Sequence, residues 1–482
     1  MTLGIATTAH RRWLLALGAL AVVLSAYRWG IAPLAWVAPV PFLVVQRHTH
    51  GWRDRLLLLA IVAIASIVQV SKIITAPLPL VLAIPFALPS ALSAWLLLIS
   101  TETIRRRVGE VAAVVAFVAL TGLAEWASCV GSPLGMWGSG ASTQIDNLVL
   151  LQFASVAGVP GIGMVMALGA AALAMWLSSD AALRHHVAAA AVAVIIAVLG
   201  WGAYRLDNAS PGPTVQVAAV VVDAGPETSS VAAQRTASLD LALQRTRSAA
   251  QRGAQLIVWN EAAVFSLPAD ERTLLAHVTA LARERAVDIV AAYAVVQPTT
   301  PVTYDNKFVW VTATGEVIDT YRKHHPVPGE PSMRGNAPMR VHQHSWGVAG
   351  GAICYDFDFP STAQTLASLH AAIVAAPSSD WRGIDPYHTQ MARISAIIGG
   401  FSVLRPVRAA TSAAFDAYGR TRATMSGYES NDRIMLATLP SVAITTTYAA
   451  LGDAPLLLLC TGALAAIAAI AWRNRRRRIV TL

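Results

Sequence analysis

The sequence predicts an α-helical polytopic membrane part of about eight spans, joined to a layered α/β domain held outside the cytoplasm. Three observations predict it. The 482 residues are 55% hydrophobic and only 13% charged, whereas soluble domains carry about a quarter charged residues. Apolar runs near 13–28, 31–46, 56–74, 80–100, 111–130, 151–177, 187–205 and 454–472 approach the length that crosses a bilayer. One long segment, 213–440, has ordinary polarity and alternates strand patterns with helix patterns. The expected division is therefore 1–212 in the membrane, 213–440 as the α/β domain, and 441–482 as a last span with a basic tail.

The first run follows His10, Arg11 and Arg12 and is followed by a second apolar run rather than a polar mature chain. It reads as a retained anchor, not a cleaved signal. Positive charge then marks alternate loops. Arg47, Arg53 and Arg55 follow the second run, Arg105 to Arg107 the fourth, Arg184 the sixth and Arg473 to Arg478 the eighth. Counting Lys and Arg beside the spans puts both termini in the cytoplasm and 213–440 outside. The net charge of +9 is thus a topology signal and not a nucleic-acid footprint.

Within 213–440, "TVQVAAVVV", "QLIVW", "DIVAAYAVV", "NKFVWVTAT", "EVIDTYR", "WGVAGGAIC", "AAIVAAP", "VLRPVRAA" and "RIMLATL" read as strands. Helical patterns cover 229–252, 268–286, 358–370 and 386–400. Strands separated by helices of ten or more residues argue a layered α/β domain.

Three cysteines are too few for a disulfide framework. Cys129 and Cys460 lie in or beside apolar runs and read as inert buried thiols. Cys354 ends an apolar strand with small residues before it, where a substrate or a second backbone can approach. Glu261 follows the strand "LIVW", and Lys323 follows "EVIDTYR". A thiol, a carboxylate base and a cation for an oxyanion are a complete acyl-transfer set. Singly, each has an ordinary structural explanation: a core thiol, a loop carboxylate and a solvated ammonium. Order and strand-end placement give them force together.

Other polar residues have blander readings. Glu125, near the outer end of the fifth span, is either functional or an interfacial acid in reach of water. Trp95, Trp126, Trp137 and Trp201 fit an aromatic belt. His342 and His344 alternate as on a strand and lack a third ligand at zinc spacing. Gly158, Gly161 and Gly163 fit tight helix packing.

The words around the three chemistry-bearing residues resemble the carbon–nitrogen hydrolase (nitrilase) superfamily. "LIVWNEAAVF" is similar to its strand-plus-Glu motif, with Asn260 where Pro is usual. "YRKHHPVPGE" resembles its Tyr-x-Lys…Val-Pro-x-Gly-Glu motif, one residue shorter, and "GGAICYDFDFP" its Ile-Cys-Tyr-Glu motif, with Asp356 for Glu. "SSDWRG…HTQMARISA" resembles a further family stretch, and "IAPLAWVAPVPFL" and "AEWASCVGSPLGMW" echo segments of the membrane branch, the apolipoprotein N-acyltransferase family. The resemblance implies a nitrilase-like four-layer αββα sandwich on a multi-span base in a bacterial inner membrane. It implies Glu261 as general base, Lys323 as oxyanion cation and Cys354 as nucleophile. Glu330 matches a second active-site carboxylate, Tyr355 and Asp356 shape the site behind the nucleophile, and Trp381 and His388 lie near the pocket. The implied substrates are a membrane phospholipid as acyl donor and a diacylglyceryl lipoprotein as acceptor, with no cofactor and no metal. The sequence departs from the pattern at Ile397, Ile398, Thr411 and Ser412, where the family's Glu and Asn-x-Gly words stand, and at Ser128, where an Arg is usual. A membrane-tethered amidase and a non-catalytic paralogue that binds lipoproteins or a partner synthase remain open alternatives.

Overall fold

The computed structural model describes residues 8–49, 51–179, 182–209, 212–223 and 231–480. The chain forms two compact units, Met1–Asp207 with Leu451–Leu482, and Asn208–Ala450.

Among the described residues of the first unit, six helices are long and apolar enough to cross a membrane: Trp52–Ser71, Leu80–Arg107, Glu110–Gly131, Ala154–Ser178, Arg184–Asp207 and Ala454–Arg477. The two expected runs before them form shorter structures. Thr8–Ser25 carries Arg11 and Arg12 in its first turns. The next run breaks into Ala32–Val37 and Pro39–Gln46, because Pro39 cannot donate the backbone bond that would continue the helix. Ala154–Ser178 is the most enclosed of the six, with 67% of its apolar window buried against 17–39% for the others. Its small residues allow that packing, and Gly158 turns the chain with a φ of 66° just ahead of Pro160.

The second unit is built on two sheets. One has the order Ile434–Pro440, Thr214–Val220, Leu256–Trp259, Asp288–Gln297, Thr303–Val311, Val317–Arg322, with Val264–Ser266 also on Asp288–Gln297. The other runs Thr421–Met425, Ser412–Phe415, Ser402–Arg405, Ile373–Ala375, Gly347–Gly351, Val341–His344. Each sheet has a parallel centre, Thr214–Val220 beside Leu256–Trp259 and Asp288–Gln297 in the first, Gly347–Gly351 beside Ile373–Ala375 and Ser402–Arg405 in the second. Antiparallel strands flank both centres. Helices Val231–Gln251 and Glu271–Arg285 cover the first sheet, and Pro360–Ser368 and Tyr387–Gly399 lie against the second. Between the sheets backbone and side chain come close: a Cβ at Gly351 would sit 3.1 Å from the Phe308 ring. The layers are helix, sheet, sheet, helix, the αββα sandwich that the family resemblance implies. Buried Ile, Val, Ala and Trp from the first sheet and its helices form a continuous core.

The expected helix over 229–252 starts at Val231, and its first two expected positions lie outside the described residues. Strand and helix expectations in 255–377 are met to within a few residues, with one consequential difference. The strand expected to run through Cys354 stops at Gly351, and Cys354–Asp358 forms a 3₁₀ turn instead. A carboxylate causes the turn: Asp356 Oδ2 accepts the Ile353 backbone N–H at 2.9 Å, which an extended strand would have offered to a neighbour.

Candidate active site

Parallel strands end their carboxyl edges at a common opening, where α/β folds place their ligands. Glu261 lies two residues past Leu256–Trp259, and Cys354 three past Gly347–Gly351. Both turns are unusual. Ala262, just after the carboxylate, has φ 47°, and Cys354 itself has φ 49°. Left-handed backbone at a residue with a Cβ costs on the order of 1–3 kcal/mol and gathers at functional sites. The rest of the fold holds these turns. Asn260, fully buried, accepts the Val222 N–H through Oδ1 at 2.6 Å and donates to the Glu261 carbonyl at 3.0 Å. The Cys354 N–H donates to the Pro377 carbonyl at 2.9 Å, and the Glu261 N–H to the Ser378 carbonyl at 3.3 Å. One segment, 377–379, therefore ties both turns together. The Cys354 thiol also reaches the Ser379 carbonyl, at 3.7 Å.

Lys323 is the hub. It is 1% exposed, and its Nζ donates to Glu261 Oε1 and to Glu330 Oε2, both at 2.8 Å. Asn306 completes the ring: its Nδ2 donates to Glu261 Oε1 at 2.6 Å and to Glu330 Oε1 at 3.1 Å. Its backbone carbonyl accepts the Lys323 N–H. The short loop between Lys323 and Glu330 still delivers its carboxylate, since the Val327 N–H donates to Glu330 Oε2 at 2.8 Å. Burial alone would pull the Lys323 ammonium down. The nearby Glu261, Cys354 and Glu330 outweigh it and hold the pKa well above its usual value. The Cys354 thiol is pushed well up, first by burial and then by the charge of Glu261, while Lys323 and Arg405 oppose the rise.

Asp356 lies two residues past Cys354, fully buried. Oδ2 takes the Tyr321 hydroxyl at 2.8 Å as well as the Ile353 N–H. Oδ1 takes the His324 and His325 N–H groups at 3.1 and 2.7 Å and meets His325 Nδ1 at 3.0 Å. One carboxylate thus locks the Cys354 turn to the segment after Lys323. Tyr355 is buried with its ring edge-on to Phe359, which stacks on His325 with centroids 4.1 Å apart. Trp381 is half-buried at the head of the short turn Arg382–Ile384, two residues past Ser379.

His388 belongs to a second buried charge cluster. Its Nδ1 meets Asp380 Oδ1 at 2.8 Å, and its Nε2 meets both Asp358 oxygens at 3.0 Å. Arg405 forks onto Asp380 with two 3.0 Å bonds. The two aspartates overcome burial and raise the imidazole to about 9, while Arg405 and His388 overcome burial and hold Asp380 well below the usual carboxylate range. Ligand atoms of Cys354, Asp380 and His388 lie within 4.8 Å of one another. Both imidazole nitrogens face carboxylates and Arg405 occupies Asp380, so the trio is an ion-pair network beside the thiol and a poor metal site. Asn306, Asp358, Asp380 and Arg405 had no sequence signal of their own. Asn306 opens the strand word "NKFVWV", where Asn reads as a turn residue, and the others read as strand-end or loop charges.

Two family models match the chain: "Carbon-nitrogen hydrolase" over residues 216–448 and "Apolipoprotein N-acyltransferase N-terminal domain" over residues 18–172. Relatives named apolipoprotein N-acyltransferase match across both units. The one from Bradyrhizobium diazoefficiens is 28% identical over 76% of this chain and 74% of its own length. The one from Pseudomonas syringae pv. tomato is 27% identical over 81% of this chain and 78% of its own. For the Rhizobium leguminosarum relative, 26% identical, the match spans 64% of each chain, under two thirds of that protein. Among solved structures, an amidase from Nesterenkonia sp. is 17% identical, covering 52% of this chain and 97% of its own with a TM-score of 0.41.

Proposed function

Because this chain belongs to the apolipoprotein N-acyltransferase family, within the carbon–nitrogen hydrolase superfamily, we propose that it moves an acyl chain from a membrane phospholipid to the α-amine of a diacylglyceryl-cysteine lipoprotein through a thioester on Cys354. The observation that carries the reading is the buried Glu261–Lys323–Glu330 ring beside a thiol held on a left-handed turn. Glu261 takes the thiol proton, and the thiolate attacks the ester carbonyl carbon. Lys323 faces the oxyanion of the tetrahedral intermediate. Collapse breaks the ester C–O bond, and the leaving alkoxide takes the proton from Glu261 and departs as a lysophospholipid. In the second half, the α-amine attacks the thioester carbonyl and gives its proton to Glu261. The C–S bond breaks, and the Cys354 thiolate regains the proton. Glu330 and Asn306 keep Lys323 and Glu261 in register. Asp356, Tyr355, Trp381 and His388 shape the walls.

The protein is a multi-pass membrane protein, and its location fits the substrates. Drawing either lipid into water would cost about 0.8 kcal/mol per CH₂. The Arg-rich loops support cytoplasmic termini and a catalytic domain on the outer side of the inner membrane. The test is intact-mass analysis after incubation with phospholipid vesicles, beside a Cys354→Ala control. A gain of one fatty-acyl group, removed by hydroxylamine and absent in the control, is expected. A folded protein that gains no adduct from any of several phospholipids contradicts the reading.

A further inference from the structure

The membrane unit holds a partly open cavity of about 270 Å³ among Thr8–Ser25, Pro39–Gln46, Trp52–Ser71, Ala83–Arg107, Glu110–Gly131 and Ala154–Ser178. Its walls are mainly aliphatic and aromatic, with Phe42, Val62, Leu98, Phe117 and Met166 among them. Ser25, Gln69 and Thr143 line it too, and so do two polar side chains of Glu110–Gly131, Thr121 and Glu125. They are four residues apart on one helix and so share a face. Thr121 Oγ1 and Glu125 Oε2 are buried, and neither finds a hydrogen-bond partner among the described residues. The carboxyl is held in place: Glu125 Oε1 accepts the Gly140 N–H at 2.7 Å. Room is made for it as well, since a Cβ at Gly163 would fall 2.3–2.4 Å from the carboxyl atoms. The glycine expected only to ease helix packing therefore shapes this site.

Each buried polar atom left unpaired costs about 1–3 kcal/mol. An apolar-walled cavity with a few convergent polar groups is the usual form of a small-molecule site. Water would meet the polar atoms but not the walls, and a plain hydrocarbon the walls but not the polar atoms. We propose that this cavity binds a single-chain glycerolipid with a free hydroxyl, its acyl chain along the apolar walls and its hydroxyl donating to Glu125 Oε2 while Thr121 donates to the adjoining ester oxygen. The chemistry is shared by lysophospholipids and monoacylglycerols. The proposal rests on the acyl-transfer reading in one respect only: a lysophospholipid is the product that reading releases.

The experiment is native mass spectrometry of the full chain carrying Cys354→Ala, so that turnover plays no part. The probes are 1-palmitoylglycerol, 1-palmitoyl-lysophosphatidylethanolamine and methyl palmitate, which lacks the hydroxyl. One retained hydroxyl lipid is expected, with methyl palmitate held at least ~10-fold more weakly, the worth of about one hydrogen bond. Retention of the lysophospholipid, of the monoacylglycerol or of both supports the site and identifies its source. Thr121→Val should cut retention several-fold while leaving the thermal midpoint unchanged or higher, because it removes an unpaired hydroxyl; Glu125→Leu should cut it further. Equal retention of methyl palmitate, indifference to Thr121→Val in a folded protein, or no retained lipid overturns the proposal. The thioester assay on the unaltered chain is independent, so failure of this site and failure of the acyl-transfer reading are distinguishable.

Discussion

Lys323 has two carboxylates within 2.8 Å and a thiol nearby, so its charge is the least expendable in the site. Glu261 acts on Cys354 in two opposing ways. Its charge helps raise the thiol pKa, yet in the proposed mechanism it is the base that removes the proton. Glu261→Gln should therefore speed alkylation of Cys354 by iodoacetamide near pH 8, by up to about tenfold per unit of pKa lost. The same change should slow acyl transfer by about 10²–10⁴-fold. Acyl transfer at the parent rate in Glu261→Gln would deny Glu261 the role of base. His388 allows a second residue-scale test. Its folded pKa of about 9 stands above its usual 6.5, so the stability it contributes is full below pH 6.5 and is lost as pH rises toward 9. The thermal midpoint should fall across that window, and His388→Gln should flatten the fall. An unchanged slope in the variant would place the titration elsewhere.

At the scale of elements, the site depends on how short segments are tied. Asp356 anchors the Cys354 turn to residues 324–325 through backbone N–H groups. Asp356→Asn keeps the size but cannot accept at both ends, and bonds to a charged acceptor are worth roughly 1.5–3 kcal/mol each. Acylation should slow and the thermal midpoint drop, whereas Tyr321→Phe, which loses one of those bonds, should do less. Gly400 ends the helix Tyr387–Gly399 at φ 69°, and a Cβ there would lie 1.8 Å from the Ile444 carbonyl oxygen. Gly400→Ala pays about 1–2 kcal/mol for left-handed backbone before any clash, and a thermal midpoint within error of the parent would contradict the packing described. These ties also explain what the sequence could and could not tell. Glu261, Lys323 and Cys354 were legible because each sits in a recognisable word after a strand. Cys354 was expected on the strand itself, since the small residues before it continue a strand pattern and only the Asp356 carboxylate, acting back on Ile353, ends it. Asn306 was invisible because its partners lie 45 and 24 residues away, across the sheet edge. The Asp380–Arg405 fork likewise exists only once Ser378–Ser379 pairs with Val407–Arg408, which brings Asp380 beside the end of the strand Ser402–Arg405.

At the scale of the whole molecule, the alternation of apolar runs and Arg clusters was enough to separate a membrane unit from an α/β unit. It marked eight runs, of which six are long apolar helices among the described residues, but hydropathy averages over breaks and could not show that Pro39 divides another. Nor could it see that Thr121 and Glu125 share a cavity. Water and an amine could each take the acyl group from the proposed thioester with the same three side chains, so the acceptor decides between hydrolase and acyltransferase. The most direct measurement is a chase: acylate the full chain from labelled phospholipid, remove the donor, and add a diacylglyceryl-cysteine peptide. The label should leave Cys354 as an amide on the peptide, at a rate that rises with peptide concentration. Release as free fatty acid at a rate indifferent to the peptide would contradict it and make the protein a hydrolase.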